Sequence, residues 1–154
     1  MLAVGQPAPA FTLPNAEMDA VSLADFARQR RVVLFFYIKD GSPACAQEAI
    51  EFTDLLDAFE HHETIVLGIS ADDCLTHADF RDRHGIGVDL LSDVDSEVCR
   101  RYEVMQPRDV NGTIRQCVQR STFVIDKKGI IRHAQYGVAA RGHAREILAV
   151  IKRL

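Results

Sequence analysis

The sequence predicts an α/β chain with a central mixed β-sheet flanked by helices. Three observations carry that expectation. "RVVLFFYI" (Arg31 to Ile38) and "ETIVLGIS" (Glu63 to Ser70) are continuous β-branched and aromatic runs, as strands buried on both faces require. Between them Ala49, Phe52, Leu56 and Phe59 recur at helical spacing and define one apolar stripe. Strand, helix and strand with buried strands form a βαβ unit, whose two strands run parallel. Further on, "CVQRSTFVID" and "IIRHAQYG" flank the turn sequence "DKKG", which reads as an antiparallel hairpin.

The remaining elements follow in order. A second helix is expected over Asp72 to His84, with Leu75, Ala78 and Phe80 as its apolar side and Gly85 as its stop. "SEVCRRYEV" reads as a short helix, with Val94, Val98 and Tyr102 spaced for burial. "VNGT" at 110–113 is a tight-turn signal. "HAREILAVIKRL" closes the chain as an amphipathic helix. A parallel βαβ unit, then a hairpin, then a C-terminal helix is the order of a thioredoxin-like fold, here with an N-terminal extension. No linker, repeat or low-complexity segment interrupts it, so residues 1–154 are expected to form a single domain.

Composition narrows the function. A chain of 154 residues can bury roughly two-thirds of its unfolded surface, enough for a sizeable core. A net charge of −4 argues against a general nucleic-acid or anionic-membrane binder, either of which needs a basic face. No apolar run approaches the length of a membrane span. "MLAVGQPAPAFTLP" lacks a basic region followed by an apolar stretch, so no signal peptide is expected and the cytoplasm is the expected compartment. There, Cys45, Cys74, Cys99 and Cys117 are not expected to form a structural disulfide framework. None lies in a CxxC pair, which disfavours a zinc site. His61 and His62 are adjacent and point apart, while His77, His84, His133 and His143 lie among charged residues. All six are expected at the solvated surface. No metal and no cofactor are expected.

One stretch carries chemistry: "KDGSPACAQEA", Lys39 to Ala49. Asp40-Gly41 breaks the strand, Ser42 is a favoured N-cap, and Pro43 suits the first helical position. Cys45 then falls in the first turn of a helix, at the carboxyl end of a parallel strand, where ligand sites of open α/β sheets form. Free N–H groups and the helix dipole favour a thiolate there. The competing reading makes Cys45 a small core residue continuing the stripe through Ala49. The N-cap serine, the helix-start proline and the strand-end position together favour the reactive reading.

Ser42-x-x-Cys45 resembles the Thr/Ser-x-x-Cys of the peroxiredoxins, within their Pro-x-x-x-Thr-x-x-Cys signature. "VVLFFYIKDGSPACAQEA" is most similar to the peroxiredoxin Q, or bacterioferritin comigratory protein, subfamily. "VGQPAPAFTLPN", "VLGISADD", "LLSDVDSEVCRRYEV" and "RSTFVIDKKGIIRH" extend the resemblance nearly end to end. It implies a thiol peroxidase that reduces hydrogen peroxide and organic hydroperoxides. In it Cys45 is the peroxidatic nucleophile, and the Ser42 hydroxyl meets peroxide and thiolate. Arg120 stabilises their charge, and Glu48 sits where a carboxylate or carboxamide orients that arginine. Taken alone, Glu48 reads equally well as an exposed helix-surface acid. The implied reductant is thioredoxin, glutaredoxin or a small thiol, and the implied state is a monomer.

Two positions depart from the family. The signature proline is Ile38 here, so the strand-to-loop junction loses a fixed φ and gains an N–H. The positions that carry a resolving cysteine in relatives hold Ile50 and a residue near Arg81. Cys74, at a helix start beyond a parallel strand, and Cys117, three residues before Arg120, are the internal candidates. Cys99 reads as helix packing. Asp72 and Asp73 would oppose a thiolate at Cys74. A disulfide reductase would need a cysteine where Ser42 stands. A non-catalytic thioredoxin-fold binding module or holdase is the alternative that Ile38 and the missing resolving cysteine leave open.

Overall fold

The two β-branched and aromatic runs form the middle of the molecule. In the computed structural model, which describes residues 1–154, they are β3 (Arg31–Phe36) and β4 (Thr64–Ser70), paired in parallel with Val33 opposite Val66 and Phe35 opposite Gly68. β5 (Asp89–Ser92) extends this parallel group beside β4, and β8 (Ser121–Ile125) and β9 (Ile131–Tyr136) add two antiparallel strands beside β3. The five-stranded order is β5-β4-β3-β8-β9. The N-terminal extension contributes a small antiparallel pair, β1 (Thr12–Pro14) and β2 (Ala20–Ser22). β6 (Met105–Val110) and β7 (Thr113–Val118) form a separate hairpin. Its turn residues Asn111 and Gly112 have φ of 54° and 84°, the left-handed pair that an Asn-Gly turn supplies.

Alternation along β3 divides the core into two layers. Val33, Phe35 and Tyr37 face Cys45, Ala49 and Phe52 of α1 (Pro43–Asp54), Phe59 of α2 (Leu56–His61), and Ala144, Ile147 and Ile151 of α5 (His143–Lys152). Val32, Leu34 and Phe36 face the other way, onto Phe11, Leu13 and the short helix α4 (Glu97–Arg101), with its Val98 and Cys99. Side chains of a strand alternate between faces, so one run of residues anchors both layers.

Several expectations need correction. The stripe through Ala49, Phe52, Leu56 and Phe59 spans two helices, because Leu55 leaves helical geometry (φ −105°, ψ 6°) between α1 and α2. The helix read from Asp72 is α3 (Cys74–His84), ended by Gly85 in the left-handed conformation, but Leu75 is 77% exposed. A polar side chain, His77, is buried beside Phe80 instead, so the apolar pattern alone misplaced the face. Val98 and Tyr102 are buried as expected, whereas Val94 precedes the helix and is 61% exposed. "CVQRSTFVID" is two strands: β7 ends at Val118 and β8 begins at Ser121, with Gln119 and Arg120 between them. β5 and the β1–β2 pair are too short to stand out as periodic segments.

Gly68 shows how tightly the first layer is filled. The Phe35 ring stacks on Phe52 at 4.7 Å between centroids and lies over Gly68, where an added Cβ would come within 2.7 Å of the ring. Phe35 is fully buried, so the ring has little room to retreat. Gly68→Ala should therefore destabilise the protein by about 1–3 kcal/mol, read as a lower urea midpoint at unchanged slope.

Candidate active site

The turn between β3 and α1 delivers the first group. Tyr37 N–H donates to Ile69 O at 3.1 Å, carrying the strand pairing one residue past β3. Ser42 then adopts extended geometry (φ −81°, ψ 129°), and Pro43 starts the helix. Its fixed φ and missing N–H suit that position. Ala46 N–H bonds Ser42 O at 3.0 Å, while the N–H groups of Ala44 and Cys45 have no acceptor in the protein, as a helix start leaves them. The Ser42 hydroxyl makes no capping bond. Cys45 is fully buried within the first core layer. The packed-core and reactive readings of this residue thus describe the same place.

The second group arrives from the break in the sheet. Gly137 and Val138 N–H both donate to Arg120 O, at 2.9 and 3.0 Å, and Gln119 N–H donates to Val104 O at 2.7 Å, which fixes the backbone. The guanidinium spans two side chains one helical turn apart on α1. Nη1 donates to Glu48 Oε1 at 2.8 Å and Nη2 donates to Cys45 Sγ at 3.3 Å. Glu48 follows Cys45 by three residues, which puts both on one helix face. It is not a surface acid, since its side chain is 0% exposed and that of Arg120 is 10% exposed. Burial pushes the Glu48 carboxyl up to about 7, against the pull of the Arg120 charge. Burial also works against the Arg120 charge, yet Glu48 and Cys45 together hold its pKa above the ordinary value. The second Glu48 oxygen, Oε2, is buried without a partner. Such an arrangement can hold a sulfur anion beside a fixed cation and a set of free N–H donors.

The other sequence candidates lie around this centre. Ile38 packs on the core and lines a cavity of about 310 Å³ with Cys117, Pro107, Arg108 and Arg120. Its N–H makes no hydrogen bond within the protein. Cys117 is half-buried on β7, opposite Gln106. Cys74 is the half-buried first residue of α3, next to the capping carboxylate of Asp73, which accepts from Thr76 N–H at 2.8 Å. Cys99 is buried packing of the second layer, and burial together with Asp93 pushes its thiol well up.

The expectation for the histidines is corrected at two positions. His143 is buried and its Nε2 lies 2.8 Å from Thr122 Oγ1, with burial lowering its pKa. His77 is buried against Asp40, which sits in the turn before Ser42. Asp40, Asp72 and His77 each bring a ligating atom within 4.8 Å of the others. Both Asp40 oxygens are taken, by Tyr37 and His77, and Asp72 Oδ2 by Ser70 and the Asp40 N–H. The cluster is a hydrogen-bond network. Sequence patterning passed over it because a buried polar side chain on an otherwise polar helix has no periodic signal. The dipeptide Asp40-Gly41 marked only a turn.

Residues 4–134 match the AhpC/TSA family model. A Mycobacterium tuberculosis protein assigned to the peroxiredoxins is 43% identical over 146 residues, covering 95% of this chain and 92% of that protein. Peroxiredoxin Bcp of Bacillus subtilis is 30% identical over 149 residues, covering 97% and 94%. Among solved structures, a cysteine-to-serine variant of Xylella fastidiosa PrxQ superposes with a TM-score of 0.92 at 30% identity, over 99% of this chain and 97% of that one. The Xanthomonas campestris bacterioferritin comigratory protein, studied for alkyl peroxide reduction, gives 0.88 at 29% identity, over 93% and 90%.

The buried carboxyl has a consequence for stability. Folded, Glu48 keeps its proton up to about pH 7, whereas its ordinary value is 4.5. Between those values the folded state binds the extra proton, so the Glu48 contribution to stability falls as pH rises through that window. Glu48→Gln carries no titrating group there. Its stability relative to wild type should rise across the window, by at most about 3 kcal/mol. Urea midpoints of both proteins at the two ends of the window measure this, and a constant difference would show that the carboxyl does not titrate there.

Proposed function

The chain belongs to the AhpC/TSA family and is a peroxiredoxin, a thiol-dependent peroxidase, and on that premise we propose that Cys45 is its peroxidatic nucleophile. The observation that carries the proposal is the Arg120 guanidinium held between Glu48 and Cys45 Sγ. The Cys45 thiolate attacks the distal oxygen of the peroxide, the O–O bond breaks, and water or an alcohol leaves with the other oxygen. Sulfur is oxidised by two electrons to the sulfenic acid. Arg120, the Ser42 hydroxyl and the Ala44 and Cys45 N–H groups receive the peroxide oxygens. A planar cation with several fixed donors suits charge that spreads over two atoms. Glu48 orients Arg120 and keeps that cation buried.

Return to the thiol needs a second sulfur. We propose capture of the Cys45 sulfenic acid by an external thiol, from thioredoxin, glutaredoxin or a small thiol. Water leaves in that step, and a second thiol then reduces the mixed disulfide. Cys74 and Cys117 are the internal alternatives. The reading includes a cytoplasmic monomer of one domain. It is supported by the acidic net charge of −4 and by the resemblance of the sequence to peroxiredoxin Q. No helix is long and apolar enough to cross a membrane.

The decisive variants are at four positions. Cys45→Ser should abolish peroxidase activity. Arg120→Ala should lower kcat/KM by about 10²–10³, the effect of losing one donor to a developing anion. Cys74→Ser and Cys117→Ser should each retain turnover when a small thiol or glutaredoxin is supplied. Intact mass after excess peroxide without thiol should show a gain of two oxygens on Cys45. A loss of two hydrogens, abolished by one of the serine variants, would instead identify that residue as an internal resolving cysteine.

A further inference from the structure

Beside the Ser42 turn lies a second buried polar network, and its proton count is fixed by geometry. His77 Nε2 lies 3.0 Å from Leu91 O, an atom that can only accept, so this nitrogen carries a proton. His77 Nδ1 lies 2.7 Å from Asp40 Oδ2, a contact that also requires a proton, whether it rides on the ring or on the carboxyl. Tyr37 Oη donates to the other Asp40 oxygen at 2.6 Å. The Asp40 N–H donates at 2.9 Å to Asp72 Oδ2, which also accepts from the Ser70 hydroxyl at 2.7 Å. His77 and Asp40 are 0% and 3% exposed, so no water replaces a lost partner. The network ties the turn that ends in Ser42 to β4, to β5 and to α3.

Cys45, meanwhile, is 0% exposed. An external thiol cannot attack a sulfenic acid on that sulfur until the first turn of α1 moves. We propose that His77 is a positioning residue of the peroxidase reaction. Through the proton shared with Asp40 it clamps the Lys39–Gly41 turn, which sets Ser42 and the first turn of α1 for peroxide and limits how often Cys45 reaches an outside thiol. This rests on Cys45 as the peroxidatic residue, although the clamp itself can be read without any peroxide chemistry.

The test uses cysteine-by-cysteine alkylation of the whole protein with iodoacetamide, followed by peptide mass analysis across the pH range in which the thiols titrate. In His77→Ala the alkylation of Cys45 should rise by about tenfold, the factor that corresponds to about 1.4 kcal/mol. Cys99 is also 0% exposed but lies in the opposite core layer, so it should stay protected. Oxidation of Cys45 by hydrogen peroxide should slow, while capture of the preformed sulfenic acid by added thiol should speed up. Asp40→Asn should behave like wild type, since its amide can accept from Tyr37 and donate to His77 Nδ1, whereas Asp40→Ala should behave like His77→Ala. If His77→Ala does not fold, the two Asp40 variants make the same comparison. Unchanged protection of Cys45, or Cys99 exposed in step with it, overturns the clamp. So does an Asp40→Asn variant as open as Asp40→Ala. Failure of the nucleophile assignment would look different: Cys45→Ser would keep its peroxidase activity whatever the alkylation pattern.

Discussion

One guanidinium organises the candidate site of this molecule. Arg120 reaches α1 from the gap between β7 and β8, and it contacts Cys45 and Glu48 on a single helix face. It can do so only because the chain does not continue as one strand through residues 119 and 120. Had it continued, the Arg120 backbone would be spent on a ladder and its side chain would alternate with its neighbours. Instead the Arg120 carbonyl accepts two N–H groups from the chain beyond β9. A long, entropically costly side chain is thereby launched from a fixed point. The departure from regular structure is the feature that gives the site its cation.

The same site sets a conflict between packing and access. Cys45 belongs to an 18-residue apolar cluster, so the aromatic layer built on Phe35 and Phe52 supports the sulfur from behind. A rigid, water-poor environment strengthens the Arg120 contact. It also hides the sulfur from any protein reductant. Polar contacts hold this region through both the Arg120 pair and the Asp40–His77 pair, so under the proposed role of Cys45 the first turn of α1 is the segment that has to move. Interiors packed this densely rearrange between discrete states more readily than they deform.

How much of this was legible in the sequence depended on whether apolar residues carried the signal. β3 and β4 could be read because both faces are buried, and α5 because one face is. The placement of Cys45 followed from Ser42, Pro43 and the preceding strand, which are local rules of helix starts. Arg120 and Glu48 emerged from resemblance rather than from pattern. Seventy-two residues separate them, and no periodicity reports a pairing of that range. His77 was misread outright. Its neighbours are charged, and only the fold brings Asp40, 37 residues away, to meet its ring. Leu75 and Val94 failed for the complementary reason: apolar residues near helix ends carry no assurance of burial.

The charge balance of the site follows from these contacts. A buried cation neutralises one anion well and a second one poorly, because each further charge must be stripped of water. Arg120 touches two acids, the Glu48 carboxyl and the Cys45 thiol, and with both ionised the buried group would carry a net negative charge. Here burial holds the Glu48 proton up to about pH 7, and the unpartnered Oε2 gives that proton an oxygen to occupy. A protonated Glu48 still accepts from Arg120 through Oε1, so orientation survives while the positive charge is left to the sulfur. A glutamine would orient the guanidinium as well but could not take up the charge of a second state. The Arg120–Glu48 contact therefore keeps one geometry whether or not the Glu48 carboxyl carries its proton.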